Sequence, residues 1–372
     1  MEVTKVLYMN EGEGENSYYR NSVYQTNVIA KARPILEESI QELCRKNMPD
    51  CLKIAEMGCS TGPNTLMPLW EIVETIEASC TELKKKTPTL QVFLNDLSGT
   101  DFNTIFKTIV PEFHEKLEKE MGDKFEHVFI AAMPGSFYGR LFPNNSLHFG
   151  HSCSSLHWIS QVPEGLVSES GTQLNKGNIC LNDTSPPSVR KAYLNQFEND
   201  FTTFLKCRSH EMVDGGRLVF IIFAQSSTNP HCKYSNELWQ ELGFALKQMV
   251  DEGKIEESKY ESWNVPLYHP TAEEVKYSIE KEGSFRVNRL EQFELDWNSI
   301  VDCGDKVDVF DKFERGKCVA TFVRAAAESM LISHFGDSFI EDLFHRLALR
   351  MVDRMEKGTG WLNNLVVSIT KV

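Results

Sequence analysis

The chain has 372 residues, of which 41% are apolar and 25% charged, as in an ordinary globular protein of one large or two smaller domains. The formal net charge of −14 argues against nucleic acid or an anionic membrane surface as a partner, because both bind basic faces. No run approaches the ~18 apolar residues of a membrane span. Residues 1–6 lack the apolar core of a signal peptide, and the ten cysteines lack zinc-ligand spacing, so we expect reduced thiols and a cytoplasmic location.

Apolar periodicity predicts strands and helices that alternate along most of the chain. Residues 1–26 are polar and rich in tyrosine, which predicts either a lid with aromatic contacts or a surface arm packed on the body. One predicted helix lies at residues 22–47, and a second follows the strand at 53–58 and ends near residue 85. Further predicted helices lie at 101–122, 190–214, 236–252, 271–283, 319–334 and 338–355. Predicted strands lie at 53–58, 90–95, 128–133, 218–223, 286–298 and 365–371. The alternation through 53–223 predicts a mostly parallel, doubly wound α/β sheet, and residues 301–316 predict a mobile loop.

The turn after the first predicted strand is the first candidate for a binding site. Glu56 lies near the strand end, and Gly58 and Gly62 bracket small side chains just before a helical pattern. Glycines let a ligand lie against bare backbone, and a helix start offers free N–H groups and a positive dipole end. The spacing matches neither the dinucleotide turn G-x-G-x-x-G nor the phosphate loop G-x-x-x-x-G-K-[ST]. It fits the amino-acid end of S-adenosylmethionine better, with an ordinary strand–turn–helix as the alternative.

An acidic residue closes the next predicted strand. Residues 92–94 are continuously apolar, as in a buried strand, and Asn95 and Asp96 follow them. A carboxylate in this place can accept hydrogen bonds from both hydroxyls of a ribose. The alternative is that Asp96 caps the following segment. With the glycine turn nearby, we favour the ribose contact.

Three histidines and a tryptophan occur within residues 146–163, which alternate between apolar and polar like a strand. His148, His151 and His157 lack the spacing of a metal set on one helix face, and no carboxylate completes a set. His157 and Trp158 at a strand end instead indicate a wall of a small-molecule pocket, with a packed Trp beside a hydrogen-bonded His as the alternative. No G-x-S-x-G elbow is present, which argues against a serine hydrolase.

Together these motifs resemble those of the plant SABATH methyltransferases, which include salicylate, benzoate and jasmonate carboxyl methyltransferases and the N-methyltransferases of the caffeine pathway. The similarity covers essentially the whole chain. The matching segments are residues 17–18, 21–22, 58–64, 94–97, 134–143, 151–152, 156–158, 175–177 and 334–336. The resemblance implies a Rossmann-like core that binds S-adenosylmethionine, an α-helical cap over the pocket, and a homodimer.

The resemblance also implies a division of the chain into two parts. The core is expected to comprise residues 1–223 with the returning strands 286–298 and 365–371. The mainly helical, substrate-binding cap is expected to comprise residues 224–285 and 299–364.

Carried over position by position, the resemblance implies the residues of the site. S-adenosylmethionine would be held by Tyr18, Cys59, Asn64, Asp96, Leu97, Ser136 and Phe137. The acceptor would be contacted by Gln25, Ser154, His157, Trp158, Trp239, Val323, Ala326 and Trp361, with His157 and Trp158 as the candidate catalytic residues. Some members have a magnesium site, matched here by Asn175, Glu261, Trp263 and Asn264. Glu261 replaces Asp and Trp263 replaces Phe of the family pattern, which argues against a catalytic metal.

The chemistry expected of such a protein is mainly positioning, because the sulfonium already activates the methyl group. Positioning can supply up to roughly 7–11 kcal/mol. A carboxylate acceptor needs no base, whereas a xanthine N–H could use His157 as a hydrogen-bond partner or weak base. Trp158 and Trp361 would sandwich a flat substrate and exclude water.

The sequence contains features of two classes of acceptor. Gln25 and Trp158 match the pair of N–H donors that grips a carboxylate in salicylate-type members. Other stretches look more like the caffeine-pathway enzymes: residues 132–134, 151–153, 165–171 and 201–205. Residues 223–227 also depart from the Gly-Arg-Arg that is common in carboxyl members. We therefore expect N-methylation of a xanthine alkaloid, with methyl-ester formation on a small acid such as salicylate, benzoate or jasmonate as the alternative.

Two further classes share parts of this pattern. A nicotinamide-dependent oxidoreductase would have the doubly wound core, but it would also need the G-x-G-x-x-G turn that the chain lacks. A non-catalytic binding protein would have the pocket without needing cofactor and acceptor contacts together.

Overall fold

A sheet lies at the centre of the computed structural model, which describes residues 3–46, 48–122, 127–226, 236–301, 312–358 and 360–372. Within these ranges the sheet has seven strands, in the order β3-β2-β1-β4-β5-β7-β6. The strands are β1 (Cys51–Met57), β2 (Thr89–Asp96), β3 (Val128–Pro134), β4 (Leu147–Cys153), β5 (Met212–Phe223), β6 (Phe285–Asp296) and β7 (Trp361–Lys371). Most of the predicted mobile loop, residues 302–311, lies outside the described residues.

The first five strands are parallel, and β7 runs antiparallel to both β5 and β6. The chain winds outward from β1 to β3 and then returns to β4 on the other side of β1. Where the strand order reverses, the connections leave the sheet in opposite directions and open a crevice at the carboxyl ends of the strands. The structure therefore confirms the predicted doubly wound, mostly parallel sheet.

Helices pack on both faces of the sheet. The α-helices in the described ranges are α1 (Val3–Val6), α2 (Val23–Lys46), α3 (Met67–Leu83), α4 (Phe102–Thr104), α5 (Val110–Met121), α6 (Pro187–Glu211), α7 (Glu237–Asp251), α8 (Glu257–Ser262), α9 (Ala272–Glu282), α10 (Lys312–Phe335) and α11 (Ile340–Glu356). Leu52 and Ile54 of β1 join the core on one face of the sheet, and Ala55 and Met57 join the core on the other. No helix in the described ranges is long and apolar enough to cross a membrane.

Two strands begin four or more residues earlier than the sequence predicts, and in both cases polar residues hide the start. β5 begins at Met212 rather than at residue 218, because Asp214, Gly215 and Gly216 interrupt its apolar pattern. β7 begins at Trp361 rather than at residue 365. There the buried Asn364 donates to the hydroxyl of Tyr24 at 2.7 Å, which a hydropathy pattern cannot reveal. The short helices α1 and α8 were not predicted.

Four helices form a layer beside the crevice. α10 packs on α11, α11 packs on α7, and α7 packs on α8. α9, which the predicted division places in the cap, packs instead against α6 and β6. The division of the chain into a core and a cap stays a prediction.

The contact between α10 and α11 leaves no room for a side chain at Gly316. A Cβ atom there would lie 2.6 Å from the carbonyl oxygen of Ala348 and 2.7 Å from Cγ2 of Val352. We expect Gly316→Ala to lower the midpoint of thermal unfolding, because overpacking typically costs about 1–3 kcal/mol. The higher helix propensity of alanine offsets only about 1 kcal/mol of this cost.

Differential scanning calorimetry measures this effect. Gly14→Ala is the control, since nothing lies within 4 Å of a Cβ at that position. Equal midpoints for Gly316→Ala and the wild type would contradict the close helix contact.

Candidate active site

A large cavity opens at the carboxyl ends of the five parallel strands. It holds about 1230 Å³ of space not filled by protein, including open solvent at its mouth. Each strand contributes a lining residue at or just beyond its end: Gly58, Asp96, Ser136, Cys153 and Phe223. A smaller cavity adjoins it and shares Tyr18, Gln25, Gly58, Ser60 and Cys153 with it.

The residues predicted to hold S-adenosylmethionine all line one of these two cavities. The large cavity is lined by Tyr18, Asp96, Leu97, Ser136 and Phe137. The smaller cavity is lined by Cys59 and Asn64, together with Tyr18. The fold therefore brings together residues that are far apart in the sequence.

The glycine turn after β1 has no room for a side chain. Gly58 has a φ of 73°, and a Cβ there would lie 2.1 Å from Oγ of Ser155. The backbone N–H groups of Gly58 and Cys59 both donate to the carbonyl oxygen of Asn95, at 2.8 and 3.0 Å. The turn is thus tied to the end of β2, with its backbone against the cavity.

The carboxylate of Asp96 is fixed by two backbone amides. Ser60 N–H donates to Oδ2 at 2.6 Å, and Leu97 N–H donates to Oδ1 at 2.7 Å. Burial raises the pKa of Asp96, against the opposing effect of the hydrogen bonds from Ser60, Leu97 and Thr100. A carboxylate has about four lone-pair sites, so the bonds from Ser60, Leu97 and Thr100 leave one for a ligand hydroxyl.

Asn64 also has a structural role. Its Nδ2 donates to the carbonyl oxygen of Ser22 at 2.7 Å, and its Oδ1 accepts from Oγ1 of Thr26 at 2.8 Å. These bonds connect the glycine turn to the start of α2, which carries Gln25 into the cavity.

On the acceptor side, seven of the eight predicted residues line the large cavity: Gln25, Ser154, His157, Trp158, Trp239, Val323 and Ala326. The eighth, Trp361, does not line it. Trp361 is the first residue of β7 and is 37% exposed, whereas the next residue, Leu362, lines the cavity. Successive side chains of a strand point to opposite faces, so both cannot face the ligand.

A sandwich of Trp158 and Trp361 therefore gains no support from the cavity lining, and the acceptor contact of Trp361 stays a prediction. Trp158 contacts Trp239 instead, with ring centroids 5.7 Å apart and ring planes at 89°. This edge-to-face pair forms an aromatic corner of the cavity.

His157 is held as a neutral ring. Its Nδ1 accepts a hydrogen bond from the backbone N–H of Phe223 at 3.3 Å, which leaves the proton of the neutral ring on Nε2. Burial, reinforced by the nearby ring of His269, lowers the pKa of His157 well below its usual range. Such a ring offers a ligand an N–H donor rather than a base.

Gln25 brings a buried oxygen to the cavity. Its Oε1 has no hydrogen-bond partner among the described residues, although the side chain is almost fully buried. Leaving a buried acceptor unsatisfied costs free energy, so this oxygen is a natural contact for a ligand donor.

The sequence did not predict several of the lining residues. They are Val3, Leu7, Tyr8, Met9, Phe223, Leu238, His269 and Phe322. The N-terminal segment is fixed to α10, since Asn10 N–H donates to the carbonyl of Ala325 at 2.9 Å and Ser329 donates to that of Tyr8 at 2.8 Å. The apolar run at residues 7–9, within a polar stretch, was the sequence signal that could have predicted these contacts. It supports the interpretation of residues 1–26 as a lid.

The four residues predicted to bind magnesium do not fit that ion. Asn175 Nδ2 donates to Oδ1 of Asn264, and Asn175 Oδ1 accepts from Ser185, both at 2.9 Å. Trp263 is a buried core residue that could offer a metal only its backbone carbonyl oxygen, and Glu261 is the set's one carboxylate. Among the described residues, no group of three or more His, Cys, Asp or Glu side chains could hold a metal ion. The amide pair instead ties two loops together.

Comparison with known proteins decides the family. Residues 4–372 match the family described as "SAM dependent carboxyl methyltransferase". The chain belongs to this family, the SABATH methyltransferases. It is therefore an S-adenosylmethionine-dependent methyltransferase, as the glycine turn and Asp96 indicated.

Relatives of this SABATH methyltransferase fall into two substrate classes. A probable caffeine synthase from Coffea canephora is 44% identical over 383 residues, which cover 100% of this chain and 98% of the relative. A probable jasmonic acid carboxyl methyltransferase from Theobroma cacao is 45% identical over 376 residues, 100% of both chains. The solved structure of a loganic acid methyltransferase with SAH matches with a TM-score of 0.82 and 32% identity, over 98% of each chain. Similar identities to both classes leave the acceptor undecided.

The raised pKa of Asp96 predicts how the SABATH enzyme responds to pH. If Asp96 contacts the ribose, we expect the affinity for S-adenosylhomocysteine to be full above that pKa and to fall as the pH drops through it, because an ionised carboxylate is a better acceptor for a hydroxyl than a protonated one. The loss should begin at a higher pH than an ordinary aspartate would give. Isothermal titration calorimetry across the acidic range measures it.

Asp96→Asn should bind S-adenosylhomocysteine weakly and without this pH response. Asp101→Asn is the control, since Asp101 caps a helix and keeps a lowered pKa through its bonds to Thr104. A wild-type affinity that stays constant into the range of an ordinary aspartate would contradict the assignment.

Proposed function

We propose that this enzyme methylates a ring nitrogen of a flat, neutral acceptor of the xanthine type. The observation that carries the proposal is the buried, unpartnered Oε1 of Gln25 at the cavity. A xanthine N–H can donate to this oxygen, whereas a carboxylate has no donor to offer. The Nε2–H of His157 complements it, because a xanthine ring also carries carbonyl acceptors.

The charge of the cavity supports a neutral acceptor. Among the described residues that line it there is no lysine or arginine, and Asp96 is acidic. A carboxylate acceptor would therefore have only the sulfonium to balance its charge. The edge-to-face pair of Trp158 and Trp239 suits a planar guest.

In the proposed reaction the side chains mainly bind and orient. S-adenosylmethionine supplies an activated methyl group on its sulfonium. Asp96 holds the ribose, while Gln25 and His157 fix the acceptor ring by hydrogen bonds. Trp158 and Trp239 exclude water and thereby strengthen those polar contacts. Since His157 is a poor base, the ring N–H must lose its proton through its own acidity, to solvent at the cavity mouth.

Methyl-ester formation on a small acid is the second candidate. The relative from Theobroma cacao, named as a carboxyl methyltransferase, favours it. Rotating the Gln25 amide by 180° exchanges its oxygen and its NH₂ group, so that the amide and the Trp158 indole N–H could both donate to a carboxylate.

A homodimer and a cytoplasmic location, expected from the resemblance and the composition, complete the proposal. Light scattering after size-exclusion chromatography measures the first, and a fluorescent fusion in plant cells reports the second.

Transfer of a radiolabelled methyl group to a panel of acceptors tests the function. The panel contains xanthine, its mono- and dimethyl derivatives, salicylate, benzoate and jasmonate. We expect alkali-stable N-methyl product from at least one xanthine. Turnover of acids alone, with alkali-labile ester as product, would overturn the N-methylation proposal.

Gln25→Ala separates the two acceptor classes by the size of its effect. For a carboxylate, the lost hydrogen bond to a charged group is worth about 1.5–3 kcal/mol, so KM should rise about 10- to 100-fold. For a xanthine, a neutral bond of about 0.5–1.5 kcal/mol predicts only about a two- to tenfold rise. Steady-state kinetics measures KM, and the exposed Gln161→Ala is the control.

A further inference from the structure

Two oppositely charged side chains are completely buried at the end of α6. Arg208 and Glu211 are both 0% exposed, and Nε of Arg208 donates to Oε2 of Glu211 at 2.7 Å. Burying charges is unfavourable unless further hydrogen bonds satisfy them. The groups that supply those bonds therefore indicate what the pair does.

Those groups belong mainly to one loop, residues 135–142, which we call the cofactor loop. The guanidinium of Arg208 donates to the carbonyl oxygens of Phe137 at 3.0 Å and Gly139 at 2.8 Å. Oε1 of Glu211 accepts from the backbone N–H groups of Leu141 at 2.6 Å and Phe142 at 3.1 Å. The ion pair thus forms hydrogen bonds with the backbone of four residues of the loop.

The cofactor loop carries Ser136 and Phe137, which line the large cavity, whereas neither Arg208 nor Glu211 lines it. The loop is also held at its start, where Nδ2 of Asn95 donates to the carbonyl oxygen of Gly135 at 2.8 Å. Arg208 further contacts Sδ of Met57 at 3.6 Å. Met57 is the last residue of β1 and immediately precedes the glycine turn. The ion pair therefore contacts both the cofactor loop and the strand end that leads into the glycine turn.

We propose that Arg208 and Glu211 are positioning residues for S-adenosylmethionine. They fix the cofactor loop in its binding conformation before the ligand arrives, so that binding does not have to order the loop. This inference rests on the proposed contacts of Ser136 and Phe137 with the cofactor.

Two conservative variants test it through the Kd of S-adenosylhomocysteine, measured by isothermal titration calorimetry. Arg208→Lys removes the planar fork that spans two carbonyls. Glu211→Gln removes the charge and presents an NH₂ group to Arg208. We expect each variant to raise Kd by about tenfold or more, as expected when a preorganised loop must be ordered on binding.

Glu241→Gln is the matched control. Glu241 pairs with Arg350 at 2.6 Å between α7 and α11, and neither residue lines the cavity. A purely structural ion pair should change the unfolding temperature and leave the Kd of the folded protein within about twofold. Unchanged Kd values in folded Arg208→Lys and Glu211→Gln would overturn the proposal.

Hydrogen exchange on the ligand-free wild-type enzyme gives a second test that no folding defect can obscure. The amides of Leu141 and Phe142 should already be protected without ligand, because Glu211 accepts from both. Protection that develops only with S-adenosylhomocysteine would overturn the proposal. Phe137→Ala tests separately whether the cofactor loop contacts the cofactor. If this variant leaves Kd unchanged, the loop does not bind the cofactor and the proposal fails with it.

Discussion

The site depends on a single buried asparagine at the end of β2. The main-chain carbonyl of Asn95 accepts from both amides of the glycine turn, and its side-chain amide donates to the carbonyl oxygens of Met133 and Gly135. One residue thereby sets the distance between β1, β2 and the loop after β3. The neighbouring Asp96 takes its orientation from the same turn, through the amide of Ser60.

Local sequence patterns were enough to predict the parts of the site that lie at strand ends. The glycine turn and Asp96 follow apolar runs, and His157 and Trp158 follow an alternating strand pattern, so chain order alone places them at one edge of the sheet. Trp361 was assigned from the resemblance alone, and the start of β7, hidden by two polar asparagines, places Leu362 rather than Trp361 at the cavity. Arg208 and Glu211 escaped notice because charges on a helix normally indicate a solvated face, and only the folded structure shows the loop that covers them.

The buried carboxylate of Asp96 lowers the stability of the ligand-free fold. Burial raises the pKa of Asp96, so the folded state binds its proton more tightly than the unfolded state does. Above that pKa the ionised carboxylate lowers the stability of the ligand-free fold, and stability recovers as the pH falls through it. Ser60 and Ser154, which line the cavity, have φ values of 51° and 54°, a strained conformation for residues other than glycine. Backbone strain and a desolvated carboxylate thus occur together at the cavity.

The position of β7 has a consequence for how the molecule assembles on the ribosome. β7 lies between β5 and β6, and it pairs with both. During synthesis β6 emerges long before β7, so its pairing edge has no partner until residues 361–371 have left the exit tunnel. Until then the open edge of β6 can pair with other chains, and closure of the sheet is a late step of folding.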